Sequence, residues 1–277
     1  MLCCKCIWFQ NIPPFCLTTY IQDKLPVDQL PHITWCTTGA LALLPIHAAG
    51  CYEETGENLL SYAFSSYAPT LSSLVSSPPR SLELGSILAI NQEATLPATK
   101  QELAHIKRHA REIPYLQLEN HEATTEAVLD AVEQFDSVHL ACHASQNMSK
   151  PLESCFYLHD GELSLADITK RSLKNKGLAF LSACQTATGD ANSPDEAIHL
   201  AAGMLVAGYS TVVATMWPIK DDDAPIIADH VYNQLTKDGE LDDGKVAKAL
   251  HIAVLALRDR VGEKEFVRWA PYIHIGV

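Results

Sequence analysis

A histidine and a cysteine stand at the ends of two apolar runs. Val138-His139-Leu140-Ala141-Cys142 leads into His143, and Leu178-Ala179-Phe180-Leu181-Ser182-Ala183 leads into Cys184, 41 residues after the histidine. Apolar runs of this length read as buried strands of a parallel sheet covered on both faces. In such sheets the reactive groups gather at the carboxyl ends of the strands. An imidazole and a thiol meeting there make the base and nucleophile of a cysteine hydrolase. A thiol of pKa about 8.5 is mostly protonated at neutral pH, so it needs a neighbour that takes its proton. The oxyanion formed on attack needs backbone N–H donors. Those of Ala144 and of Cys184 itself are the candidates.

The neighbouring side chains have plainer readings beside the chemical ones. A lone Cys after an apolar run is more often an inert core residue, and a lone His more often a hydrogen-bonded structural one. Residues four apart on a strand share a face, which aligns His139 with His143 and turns Cys142 away. A zinc site needs all three together, so His139 and Cys142 read as packing residues and no metal is expected. Ser193-Pro194-Asp195-Glu196 fits a helix start, with Ser193 as N-cap, Pro194 at the first helical position and Glu196 completing a capping box. Asp195 is then left to face a cleft. Asp221-Asp222-Asp223, after Trp217-Pro218, complements the dipole of the next helix. Because these residues follow a strand end, Asp221 is a second substrate-binding candidate. Gly189, Gly203 and Gly208 make no phosphate-binding motif, so no nucleotide cofactor is implied.

The elements that must hold these groups follow from the patterning. Strands are predicted at residues 33–37, 86–91, 115–118, 138–142, 178–183 and 211–216. A further strand and a short helix are expected within 62–75. Helices are predicted at 96–111, 124–134, 193–207, 223–235 and 243–261. Residues 154–165 form a hairpin about Asp160-Gly161, and Ser164 caps a short helix behind it. The alternation describes a mainly parallel, doubly wound sheet with helices on both faces. Ser76-Ser77-Pro78-Pro79 breaks the pattern, which places a loop or seam near 76–80. Residues 1–30, with clustered Cys and Pro, do not share the patterning and read as a leader or a truncated edge, ahead of one domain at 31–277.

Composition narrows the function classes. With 277 residues, 47% hydrophobic and 19% charged, the chain has material for a substantial core. A net charge of −13 without a basic stripe argues against nucleic acid as a partner. Nine irregularly spaced cysteines argue against a disulfide framework and for a reducing, cytoplasmic setting. Cys3 and Cys6 form one CxxC without a second pair, a weak zinc signal. The longest apolar stretch, 39–50, is interrupted by Pro45 and His47 and is too short to span a bilayer.

Several strings together resemble the CHAT domain, a caspase- and separase-like cysteine peptidase family often joined to tetratricopeptide repeats. They are Leu43-Leu44-Pro45-Ile46-His47-Ala48-Ala49-Gly50, Ser65-Ser66-Tyr67-Ala68-Pro69-Thr70-Leu71, His139-Leu140-Ala141-Cys142-His143-Ala144, Leu181-Ser182-Ala183-Cys184-Gln185-Thr186, Val212-Val213-Ala214-Thr215-Met216-Trp217-Pro218 and the tail 269–276. The likeness runs from about Leu30 to Val277. It implies a caspase-like three-layer α/β/α sandwich with a mainly parallel central sheet. It also implies a His143–Cys184 dyad hydrolysing peptide bonds, with a protein or peptide substrate. The chain is then a regulated protease that forms the catalytic end of a repeat-containing architecture. One residue departs from the family pattern: Gly usually follows the dyad His, and here it is Ala144. That departure keeps a second reading open, an inactive CHAT-fold interaction or scaffold module. A third reading, a small-molecule-binding α/β domain, predicts a closed pocket in place of a peptide groove.

Overall fold

The computed structural model describes residues 30–52, 58–76, 82–147, 149–171, 173–182, 199–238 and 240–276. The leader before residue 30 and most of the expected seam at 76–80 lie outside them. The first strands and helix are β1 (His32–Trp35), β2 (Phe64–Tyr67) and α1 (Leu71–Ser76). There follow β3 (Leu82–Glu83), β4 (Ile87–Asn91), α2 (Thr99–His109), β5 (Tyr115–Glu119) and α3 (Thr125–Gln134). Next come β6 (Ser137–Ala141), β7 (His143–Ser145), β8 (Cys155–Tyr157), β9 (Glu162–Ser164) and α4 (Leu165–Thr169). The chain continues through β10 (Lys176–Leu181), α5 (His199–Ala207), β11 (Tyr209–Thr215) and α6 (Ala224–Asp238). It ends with β12 (Glu240–Leu241), α7 (Asp243–Val261), α8 (Phe266–Trp269) and β13 (Tyr272–Gly276).

Eight strands form the central sheet in the order β1-β2-β13-β11-β10-β6-β4-β5. Every neighbouring pair is parallel except β11 with β13. Two blocks of opposite direction result, and the five strands from β11 to β5 share one carboxyl edge. The patterning of the tail 269–276 as a family terminus did not reveal β13, which closes the five-stranded block along its β11 side.

Side-chain alternation sorts the sheet residues between two helical layers. Val138 and Leu140 of β6, with Ala179 and Leu181 of β10, pack on one face against Val128 and Val132 of α3, Ile168 of α4 and Met204 of α5. Leu178 and Phe180 of β10 pack on the other, against Ile106 of α2, Val231 of α6 and Val254 of α7. Fully burying one such Leu, Ile or Phe side chain is worth about 1.5–3 kcal/mol, so both layers are held independently by their own apolar stripes. The expected three-layer sandwich is the observed one. Capping also follows the sequence: the Thr124 hydroxyl accepts from the Ala127 N–H at 3.3 Å, and that of Ser164 from Asp167 at 3.2 Å. At Gly208, φ is +121°, and a Cβ there would lie 1.7 Å from the Leu173 carbonyl oxygen, so only glycine lets α5 turn this tightly into β11.

Candidate active site

The register of the central strands sets the geometry of the carboxyl edge. Leu140 of β6 pairs with Leu181 of β10. Phe180 pairs with Val213 of β11, so the next residues, Leu181 and Ala214, also stand side by side. Leu140, Leu181 and Ala214 therefore form one row across three adjacent parallel strands. Counting three residues onward from each gives His143, Cys184 and Trp217. Cys184 and the other substrate candidate Asp195 lie outside the described residues, as does the capping box at 193–196.

His143 does not extend β6. The strand ends at Ala141, the chain bends at Cys142, and His143 opens β7 of a separate three-stranded antiparallel sheet in the order β7-β8-β9. The expectation that His139 and His143 share a strand face is thereby corrected. His143 is exposed opposite Tyr157, which is itself exposed. His139 is fully buried, 3.0 Å from Glu102 Oε1, with Tyr232 Oη 3.3 Å from its other ring nitrogen. This links α2, β6 and α6. Cys142 is also fully buried, and burial pushes its thiol up to about 12, which leaves it an inert packing residue. The plainer readings of His139 and Cys142 hold.

The backbone of Ala144 has a definite direction. The Leu158 N–H donates to Gly161 O at 2.8 Å, and the Leu165 N–H to Ser154 O at 2.9 Å. In the β8–β9 ladder, residues 154, 156 and 158 thus aim their backbone groups at β9. Alternation turns those of Cys155 and Tyr157 toward β7, where they face Ser145 and His143. Ala144, between those two, directs its N–H and C=O away from β8. Since β7 is an edge strand among the described residues, this N–H points to the outer side of the small sheet and is not used by its ladder.

Asp221, the second substrate-binding candidate, has a partner in the structure. Its Oδ2 accepts the Ala98 N–H at 2.9 Å, tying the loop after β11 to the start of α2. Asp223 is fully buried and forms a two-point ion pair with Arg268, one arm at 2.8 Å from Nε to Oδ2 and the other from the terminal nitrogen to Oδ1. Asp221 and Asp223 thus brace the start of α2 and α8 through their side chains, and no side chain caps the short turn at Asp221–Asp223.

Sequence reading did not single out Trp217 as a site residue. Its signal was that the apolar run of β11 stops in step with the other two. Trp217 is half-buried, packs between both apolar layers, and donates its Nε1–H to Val267 O at 2.9 Å. Asn91 and Ser182 flank Ala141 on the same edge. Each is buried, with a side-chain oxygen that lacks a hydrogen-bond partner among the described residues. Among the described residues, no group of three or more His, Cys, Asp or Glu converges to hold a metal, and no helix is long and apolar enough to cross a membrane.

Comparison with known proteins places this geometry. The family model described as the CHAT domain matches residues 11–277. No curated protein sequence matches the chain. Among solved structures, the Arg-specific cysteine proteinase gingipain R of Porphyromonas gingivalis is similar with a TM-score of 0.62 at 10% identity, over 96% of this chain and 68% of that one. Separase of Saccharomyces cerevisiae, in its complex with securin, is similar with a TM-score of 0.62 at 13% identity, over 94% of this chain and 16% of that one. At these identities the likeness establishes the fold.

Proposed function

The chain belongs to the CHAT-domain family, and from that premise we propose that it is a cysteine endopeptidase in which His143 and Cys184 form the catalytic pair. The observation that carries this reading is that β6 and β10 are adjacent parallel strands whose paired residues, Leu140 and Leu181, each stand three positions before His143 and Cys184 in the sequence. The exposure of His143 at that edge supports it, since a base must meet solvent and substrate.

In the proposed reaction the Cys184 thiol gives its proton to His143, and the thiolate attacks the scissile carbonyl carbon. A C–S bond forms as the carbonyl π pair moves onto oxygen. The Ala144 N–H and the Cys184 N–H stabilise that oxyanion. The oxyanion collapses, the C–N bond breaks, and His143 protonates the departing amine. A water, deprotonated by His143, then attacks the thioester, releases the new carboxyl terminus and returns the proton to sulfur. The Cβ of Ala144 does not remove the donor, because the N–H belongs to the backbone. Trp217, three residues past the same row on β11, forms an apolar wall of the substrate groove. Asp195 is the proposed acidic determinant for a basic residue before the scissile bond, and Asp221 helps to shape the groove by holding Ala98. The substrate is a protein or peptide, and the domain acts as the regulated catalytic end of a repeat-containing architecture.

Labelling with a peptidyl thiol-reactive probe tests the reading. Wild-type protein is expected to be modified at Cys184, with Cys184→Ala silent and His143→Ala strongly slowed. Equal labelling of all three proteins overturns it and favours the inactive scaffold.

A further inference from the structure

A second concentration of histidine lies on the other directional block of the sheet, away from His143. A cavity opens between β2, β13, α7 and the turn Ile46–Ala48. Its polar side is formed by His47, Ser65, Tyr67, His251, Tyr272 and His274. About 20 Å³ of it is reachable by the centre of a water molecule, room for one water. His47 and His251 are both buried, and among the described residues the Nε2 atom of each lacks a hydrogen-bond partner of ordinary geometry, the backbone of Ala270 acting on the His47 ring from beside it.

The hydrogen bonds around Tyr67 assign the protons. The His47 backbone N–H donates to the Tyr67 hydroxyl at 3.2 Å, and His47 Nδ1 lies 2.8 Å from the same oxygen. Both contacts are satisfied when the phenol accepts from the backbone and donates its own proton to Nδ1. That leaves the His47 proton on Nε2, a donor on a ring that lines the cavity and lies beside the Ala270 backbone. His251 Nε2, the other ring nitrogen without a partner among the described residues, is the complementary acceptor when the His251 proton sits on Nδ1. A buried donor and acceptor without partners are costly, and one water satisfies both.

A neutral chain runs beside this pair. His32 Nε2 lies 2.6 Å from Ser66 Oγ, Ser66 Oγ lies 2.6 Å from His274 Nδ1, and His274 Nε2 lies 2.5 Å from Thr211 Oγ1. It crosses four strands, from β1 through β2 and β13 to β11. We propose that the cavity binds a single water bridging His47 to His251, and that this bridge and the His32–Ser66–His274–Thr211 chain latch residues 32–52 and 58–67 to the rest of the sheet while all four imidazoles are neutral.

The surroundings explain why protons open such a latch. No carboxylate lines the cavity among the described residues. Facing the rings are Tyr67 and Ser66 from β2, Tyr272 from β13, Thr211 from β11 and the backbone of Ala270; His47 and His251 also act on each other. Asp242, the N-cap of α7, is the charged group acting on the cluster, and it acts on His32. A proton on His251 converts the acceptor into a second donor. A proton on either cavity ring places a cation against an imidazole, with no anion beside it. Burial accordingly holds His47 and His251 at about 4 and His274 at about 3, below the ordinary 6.5. The inference does not depend on peptide hydrolysis.

Two measurements on the whole chain test it. NMR titration of the wild-type imidazoles is expected to show His47 and His251 neutral down to about pH 5 and in contact with a slowly exchanging water. Either ring titrating near its ordinary value, or a cavity without water, overturns the bridge. Amide exchange, corrected for its intrinsic pH dependence, is expected to accelerate about tenfold or more in residues 32–52 and 58–67 between pH 7.5 and 5, while β4 and β6 stay protected. His251→Leu should reduce that acceleration, His47 and His274 still contributing. Uniform acceleration across the wild-type chain overturns the latch, as does an acceleration in the folded variant equal to that of wild type.

Discussion

The same side chain is put to opposite uses in two regions of this molecule. At the carboxyl edge of the five-stranded block, His143 is exposed on the edge strand of the small sheet. In the other block, His47, His251 and His274 are buried, and each is held well below the ordinary imidazole range. His139 shows that neighbours in sequence do not share an environment: four residues before His143, it is sealed against Glu102 and Tyr232. Histidine reports function through solvent access and partners, and its position in a motif is only the first half of that information.

The contrast can be broken most strongly at the proposed nucleophile. Cys184→Ala should lower peptide turnover by on the order of 10⁴–10⁶-fold, read in a fluorogenic peptide assay, with the melting temperature unchanged. A drop of less than tenfold would remove the edge from consideration as a catalytic centre. Ala144→Pro is the finer test. It deletes one N–H that the β7–β8 ladder does not use, and proline is tolerated on an edge strand at such a position. Turnover should fall about 10²–10³-fold, the effect of losing one oxyanion donor, with the fold retained. Ala144→Gly keeps the donor and should retain activity.

On the histidine-rich side the prediction concerns stability. A buried base with a depressed folded pKa is neutral in the fold and binds a proton more readily when unfolded. Its contribution is fully present above the unfolded value near 6.5 and is lost as pH falls toward the folded value. For His47, from 6.5 to about 4, the loss is on the order of 3 kcal/mol. Denaturant titrations between pH 7.5 and 4 should show this decline, and His47→Gln should make it shallower, the shares of His251 and His274 remaining. A wild-type profile flat over that window contradicts the buried neutral state. The smallest expected effect is at the groove wall. Trp217→Ala should raise KM for a peptide substrate by about tenfold or less, with kcat nearly constant.

Local reading reached far into this fold. α7 occupies residues 243–261 as predicted, the hairpin turns at Asp160-Gly161, and Thr124 and Ser164 cap their helices. These features depend on neighbouring residues and on periodicity, which a linear string displays. β13 escaped because its Tyr272-Ile273-His274-Ile275 run is short and its partner β11 lies far away in the chain. Asp221 and Asp223 precede α6, where local reading assigns them to its dipole; their hydrogen-bond partners, Ala98 and Arg268, are 123 and 45 residues away.

The order of residues alone determined that buried strands lead into His143 and Cys184, that helices cover them, and that the chain falls within the CHAT family. Apolar periodicity and motif spacing are one-dimensional properties, so they survive without coordinates. Only the tertiary structure decided that His143 leaves β6 for a separate sheet, that the Ala144 N–H faces an open edge, and that His47 and His251 share one cavity. Those outcomes depend on strand register and on the packing of distant segments, where a shift of one residue exchanges a buried face for an exposed one.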